Sequence, residues 1–219
     1  MPSREKEKAY DQQRGAFTIL ELLVVISVIT LLAGLLLPAL KNARESAKRS
    51  SCVSNMRQIY YSVNLYVNEN NGLLPPVYGP GSPYSEMWMS RLESYGVNAK
   101  VLFCPSDPNF ISGASPTNSN HTKTRSYIWN FISELASSVG QSADLWKIEN
   151  ANQTILMGEK QSKCADHYLS IPAEDPAIRL EEKRHKNVSN YLFVDGHVEA
   201  LPPGGSFIPN QLWTIDSSD

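Results

Sequence analysis

The chain has 219 residues, 42% of them apolar and 19% charged, enough to bury one moderate core with an appendage. Its 14 prolines and 12 glycines are close to average usage, which excludes a collagen-like or low-complexity polymer. Lys and Arg total 20 against 22 Asp and Glu, so the basic excess of a dedicated nucleic-acid binder is missing. The mean hydropathy is negative, which excludes a polytopic membrane protein and leaves room for a single span.

That span is Phe17–Leu40. Between Leu22 and Leu37 the only polar side chains are the hydroxyls of Ser27 and Thr30. Ile19–Leu40 matches the roughly 20 residues a helix needs to cross a bilayer, and its one charge, Glu21, lies near the interface. A cleaved secretory signal would have a shorter apolar region, about 7–15 residues, ending at a small-residue cleavage site. Positive residues flank both ends (Arg4, Lys6, Lys8 and Arg14 before, Lys41, Arg44, Lys48 and Arg49 after), so charge asymmetry does not orient the span. Within it, Pro38 removes the backbone bond to the Gly34 carbonyl, and the pair predicts a kink point in the helix.

After Pro38 the apolar positions Ala43, Ala47, Val53, Met56, Ile59, Val63 and Val67 recur at helical spacing, with charged residues on the other faces. Asn70-Asn71-Gly72 supplies left-handed C-cap residues, and Pro75-Pro76 stops the helix. A helix over Thr18–Asn70 would be about 80 Å long. Beyond it, the pattern predicts short helices at Glu86–Tyr95 and Ser142–Ile148. Strands are expected at Val101–Phe103, Tyr127–Phe131 and Thr154–Met157, and a polar loop at Ser112–Asn120. Asn190–Leu201 reads as a hairpin with a two-residue type I′ turn at Asp195-Gly196, placing Val194 opposite His197 and Phe193 opposite Val198. Tyr191, Phe193, Val198 and Ala200 would then share the core face.

The residues offer little chemistry. His185, Asp195 and His197, with His167 and Asp166, contain no His-Glu-x-x-His or Cys-x-x-Cys spacing. Asp195 therefore reads as a turn-shaping residue and His185 as its hydrogen-bond partner, or that of nearby backbone. Oxygen ligands at Asp107, Asp166 or Asp195 would suit calcium, but no loop carries a ligand pattern. Cys52, Cys104 and Cys164 allow one disulfide in any of three pairings. No catalytic residue and no cofactor are expected.

Phe17-Thr18-Ile19-Leu20-Glu21, followed by Leu22-Leu23-Val24-Val25, resembles the N-terminus of type IV prepilins and type II secretion pseudopilins. The resemblance implies a basic leader over residues 1–16, cut between Ala16 and Phe17 by a prepilin peptidase that also N-methylates Phe17. Alanine stands where that family prefers glycine. Glu21 would be the acid that sets the register of assembly, pairing with the new amine, and Pro38 the kink proline. His185, nine residues, then Asp195-Gly196 resembles the His-x9-Asp-Gly element of a large group of pseudopilin-like proteins. Ser51-Cys52, Asn55–Ile59, Phe103–Asp107 and Ser126-Tyr127 resemble other segments of that group.

The implied protein is a non-enzymatic α+β subunit of pilin-like form. Its segments would be a leader (1–16), a membrane or filament-core helix (17–40), an amphipathic continuation (41–72) and a head (73–219) with an antiparallel sheet. Expected partners are the prepilin peptidase/methyltransferase, an inner-membrane assembly platform, like pilin subunits and membrane lipid, with no nucleic acid. The expected place is the bacterial inner membrane, with the head periplasmic or in a filament. A membrane-anchored binding or adhesion module that never polymerises is the alternative.

Overall fold

The computed structural model describes residues 18–77, 87–108, 125–132, 141–162, 164, 168–169, 176–207 and 212–215. The expected polar loop at 112–120, the leader and Phe17 lie outside them. Contacts divide the chain into two compact units, Met1–Ala43 and Arg44–Asp219.

Helix α1 runs from Ile19 to Glu69 and passes through Pro38. Its first part, in the N-terminal unit, exposes every large apolar side chain from Ile19 to Leu40. Its second part buries Cys52, Met56, Ile59, Ser62, Val63 and Val67 in the C-terminal unit. Asn71 and Gly72 take positive φ beyond its end, where the Gly72 amide closes on the Val67 carbonyl at 3.0 Å.

A five-stranded sheet forms the body of the C-terminal unit: β1 (Tyr127–Asn130), β2 (Ile155–Glu159), β3 (Tyr168–Leu169), β4 (Ser189–Phe193) and β5 (Val198–Leu201). Their order is β3-β1-β2-β4-β5, antiparallel except for the β1–β3 pair. Every residue of β1, β2 and β4 is buried, because both faces of the sheet are covered. One face (Tyr127, Trp129, Met157, Leu192) shares a core with Met56, Ile59 and Val63 of α1. The other (Ile128, Ile155, Tyr191, Phe193) packs on Leu180 and Trp213. Strands buried on both faces read as unbroken apolar runs, which suits Ile155-Leu156-Met157. Gly158 makes room for Trp213, since a Cβ there would lie 2.9 Å from the indole.

Four local expectations are corrected. Val101–Phe103 is a succession of turns: the Val101 and Leu102 amides both bond to the Asn98 carbonyl, and Asn98 Oδ1 takes the Lys100 amide. A short apolar run carries no period to separate turn from strand. Ser142–Ile148 contains only the single 3₁₀ turn Leu145–Lys147, capped by Asp144. The Glu86–Tyr95 segment forms two short pieces, α2 (Trp88–Arg91) and a 3₁₀ turn (Glu93–Tyr95), ended by Gly96 at positive φ.

The fourth correction concerns the β4–β5 hairpin, whose register is one residue away from the expected one. Leu192, not Phe193, pairs with Val198, and Asn190 pairs with Ala200. The loop has three residues, with the Gly196 amide on the Phe193 carbonyl at 3.0 Å. Of its residues only Gly196 has positive φ, at 92°. Asp195 stays in an ordinary conformation because its Oδ1 accepts the His197 amide at 3.0 Å, so a type I turn with a following left-handed glycine replaces the type I′ turn. The slip moves Val198 and Ala200 to the Leu192 face, leaving Tyr191 and Phe193 opposite. Two adjacent positive φ values, the type I′ requirement, occur instead at Lys186 and Asn187, between His185 and Val188.

Gly196 is constrained from outside as well. A Cβ there would lie 2.2 Å from the Tyr60 ring of α1. At Gly96, also at positive φ, a Cβ would meet nothing within 4 Å. Gly96→Ala should therefore cost about 1–2 kcal/mol of backbone strain, and Gly196→Ala about 2–4 kcal/mol through added overpacking. Urea unfolding of the two variants in detergent checks the difference.

Candidate functional site

Two polar arrangements stand out, one in the N-terminal unit and one in the C-terminal unit. The first is the start of α1. Thr18 caps the helix: its amide and hydroxyl both donate to Glu21 Oε2, at 2.9 and 2.8 Å, and the Glu21 amide donates back to Thr18 Oγ1 at 3.2 Å. This is a reciprocal capping box, which satisfies donors that lipid could not. Ser27 and Thr30 donate to the carbonyls of Leu23 and Ser27, so the hydroxyls of the apolar run are also internally satisfied. By length and composition α1 is able to cross a membrane.

The second is a buried polar cluster where α1, β2 and the turn before β4 meet. His185 is held by that turn, its amide bonding to the Val188 carbonyl at 2.9 Å. Its Nδ1 lies 3.0 Å from Glu45 Oε1 and its Nε2 lies 2.9 Å from Glu159 Oε1. Only 1% of the His185 side chain and none of Glu159 is exposed, while Glu45 is 24% exposed. Both ring nitrogens face carboxylate oxygens, an arrangement that uses both as donors when the ring is an imidazolium. The carboxylates are tied in turn: the Ser106 hydroxyl donates to Glu45 at 2.6 Å, and the Asn190 amide to Glu159 Oε2 at 3.0 Å. Burial pushes the Glu45 carboxyl up, but the Ser106 hydroxyl and the His185 ring outweigh it and hold the group below the usual 4.5.

Beside His185, Cys52 of α1 is disulfide-bonded to Cys104, and Cys104 Sγ lies 3.4 Å from His185 Nε2. Cys164 is buried and takes no part in that disulfide. Next to them, Arg184 donates to the Ser126 carbonyl at 3.1 Å and to the Lys160 carbonyl, and approaches Asp107 to 3.4 Å. Asp107 also accepts the Ser126 and Ser162 hydroxyls, both at 2.7 Å. Its oxygens are thus engaged by protein donors, as an internal counter-charge to Arg184. Burial, helped by the Arg125 charge, lowers the Lys160 ammonium to about 8.

The structure therefore separates the residues grouped by sequence. His185 does not reach Asp195, because Asp195 is turned to His197, whose Nδ1 lies 2.6 Å from Asp195 Oδ1 at the exposed hairpin tip. Asp166 and His167 lie outside the described residues. The partners that sequence reasoning missed are Glu45 and Glu159. Glu159 did leave a signal, a carboxylate closing an otherwise apolar strand. Glu45 left none, being one acid in a basic stretch of helix. The imidazole is almost wholly covered, and Glu45 is the carboxylate of the pair that reaches solvent.

The molecule is thus pilin-like α+β, a long apolar N-terminal helix with its second part packed on a mostly antiparallel sheet. The chain is similar to "Type II secretion system core protein G" of Escherichia coli strain K12, 38% identical over 64 residues, which is 29% of this chain and 43% of that protein. It is also 38% identical over 60 residues to the protein of the same name from Pectobacterium carotovorum, covering 27% and 38% of the two chains. The matched stretch therefore spans about two fifths of these curated relatives. No family model and no solved structure matches.

Removing the ring from between the two acids should be severe, because the buried Glu159 would lose the hydrogen-bond partner that faces it. His185→Ala is expected to destabilise the folded head by about 3–5 kcal/mol. Guanidinium unfolding followed by tryptophan fluorescence measures it, and a loss under 1 kcal/mol would mean that the ring does not support the two carboxyls.

Proposed function

We propose that this chain is a pseudopilin-like structural subunit, cut by a prepilin peptidase between Ala16 and Phe17 and assembled through its apolar helix into a type II secretion or type IV pilus-like filament. The observation that carries the reading is the first part of α1, where about six helical turns, Ile19–Leu40, expose every large apolar side chain and carry a single charge, Glu21. Such a surface requires lipid or other apolar helices around it. The partial similarity to the two core G proteins supports the same class. In this reading residues 1–16 are the leader, 17–40 serve in membrane and then filament core, 41–72 continue the helix and 73–219 form the head. The peptidase, an inner-membrane platform and like subunits are its partners, and the head lies on the periplasmic side. The Gly34–Pro38 pair is the soft point of the helix.

Glu21 has two roles to separate. It caps α1 through Thr18, and after processing its carboxylate would face the amine of Phe17, from the same or a neighbouring chain. A charge pair of this kind, surrounded by hydrocarbon, holds helices at one stagger because any other leaves both charges bare. Glutamine satisfies a capping box as glutamate does but carries no charge. Glu21→Gln and Glu21→Ala should therefore both insert in membranes and both lose most of the sedimentable filament recovered from wild type. Filament yield restored by glutamine would reduce Glu21 to a cap. Mass spectrometry of the native protein should find N-methyl-Phe17 at its start, and a retained Met1 would favour the non-polymerising anchored module.

A further inference from the structure

The disulfide and the buried histidine are neighbours for a reason that the structural role of neither supplies. Cys52 Sγ, Cys104 Sγ, His185 and Glu159 offer four ligand atoms within 4.8 Å of one another, all buried. We propose that the reduced head binds one thiophilic divalent cation, of which Zn²⁺ is the type, through Cys52 Sγ, Cys104 Sγ, His185 Nε2 and Glu159 Oε1, and that this ion and the Cys52–Cys104 disulfide exclude each other.

The distances support a tetrahedral site. Zinc bonds of about 2.3 Å to sulfur and about 2.0–2.1 Å to nitrogen and oxygen set tetrahedral edges of about 3.5 Å for S–N and about 3.3 Å for N–O. The observed separations are 3.4 Å from Cys104 Sγ to Nε2 and 2.9 Å from Nε2 to Glu159 Oε1. Both edges need only a few tenths of an ångström. The edge between the two sulfurs is the one that must open, to about 3.8 Å, and it cannot do so while they are bonded.

The supporting shell is already built. A metal-bound imidazole usually donates its other ring N–H to a carboxylate, and Glu45 stands on Nδ1 at 3.0 Å, itself fixed by the Ser106 hydroxyl. The second oxygen of Glu159 takes the Asn190 amide. A surface recess lined by Glu45, Ser46, Arg49, His185, Lys186 and Val188 leads toward the ring. Two thiolates, an imidazole and one carboxylate are a donor set for zinc, not for calcium or magnesium. The ligands come from α1, the Cys104 loop, β2 and the turn before β4, so the ion ties the same elements that the disulfide helps to tie.

The exchange balances. A dithiol reductant transfers two electrons and two protons to the disulfide, becomes a cyclic disulfide itself and leaves two thiols. Binding Zn²⁺ releases both thiol protons to solvent and takes the lone pair of a neutral imidazole at Nε2, with Nδ1–H on Glu45. In the reverse direction a protein disulfide takes two electrons from the thiolates, the S–S bond forms and the ion leaves with no thiolate to hold it. A chain made in a reducing compartment would thus carry the ion until oxidation replaces it. This proposal does not rest on the filament reading.

The test uses the full chain in detergent micelles, reduced by dithiothreitol in mild denaturant and returned to native buffer without oxygen or free thiol. Titration with Co²⁺ should give one bound ion, with thiolate-to-cobalt charge-transfer bands and the intense d–d bands of a tetrahedral site, both erased by Zn²⁺. The oxidised chain should show neither. Cys164→Ser should keep the spectrum, and Glu45→Gln should keep it while weakening binding about 10–100-fold. A reduced chain without the charge-transfer band, folded or not, overturns the proposal. So does His185→Ala binding as tightly as wild type, or the same spectrum and affinity in full denaturant, since each assigns the ion to loose thiolates.

Discussion

The head depends on what surrounds one imidazole. His185 stands between Glu45 of α1 and Glu159 of β2, with Cys104 against its edge and Cys52 bonded beyond. These groups come from sites separated by up to 140 positions, and His185 and Glu159 are deep enough that leaving either without a partner costs several kcal/mol. Buried pairs of this kind add little net stability over a well-packed apolar core, but they penalise every wrong packing of helix on sheet. The apolar contacts of Met56, Ile59 and Val63 hold the helix on the sheet, while the polar cluster selects how it lies.

The same geometry explains the spacing between His185 and Asp195. The two residues serve opposite ends of β4. His185 closes the turn that enters the strand, and Asp195-Gly196 closes the turn that leaves it. Nine intervening residues cover the entering turn, five paired positions and the start of the exit turn. The glycine is required because Tyr60 of α1 lies on it, so both ends of the strand are referenced to the same helix. The element is therefore a clamp that seats β4 on α1, and its members need not touch.

Much of the fold was legible in the sequence because its main signals are periodic and long. The helix emerged to within a residue at each end, since an apolar run, an amphipathic run and an Asn-Asn-Gly-x-x-Pro-Pro exit leave no competing reading. The hairpin was legible as an element but not in register: Asp-Gly suits both a type I′ turn and a type I turn with a left-handed glycine, and the Asp195 side chain decided between them. Val101–Phe103 looked like a strand because three apolar residues carry no period. The polar cluster was hidden for a different reason. Its partners are brought together only by tertiary packing, and a lone glutamate on a basic stretch of helix has nothing local to mark it.

The outer edges of the sheet have a consequence for crowding. β3 has two residues, and β5 has four, with Glu199 exposed at its centre and Pro202 directly after its last residue. A short β5 margin that bears an acid and is followed by a proline offers a neighbouring backbone little to pair with. A second copy of the head laid along β5 would thus find little open backbone to join, and the margin keeps the sheet from growing past its fifth strand.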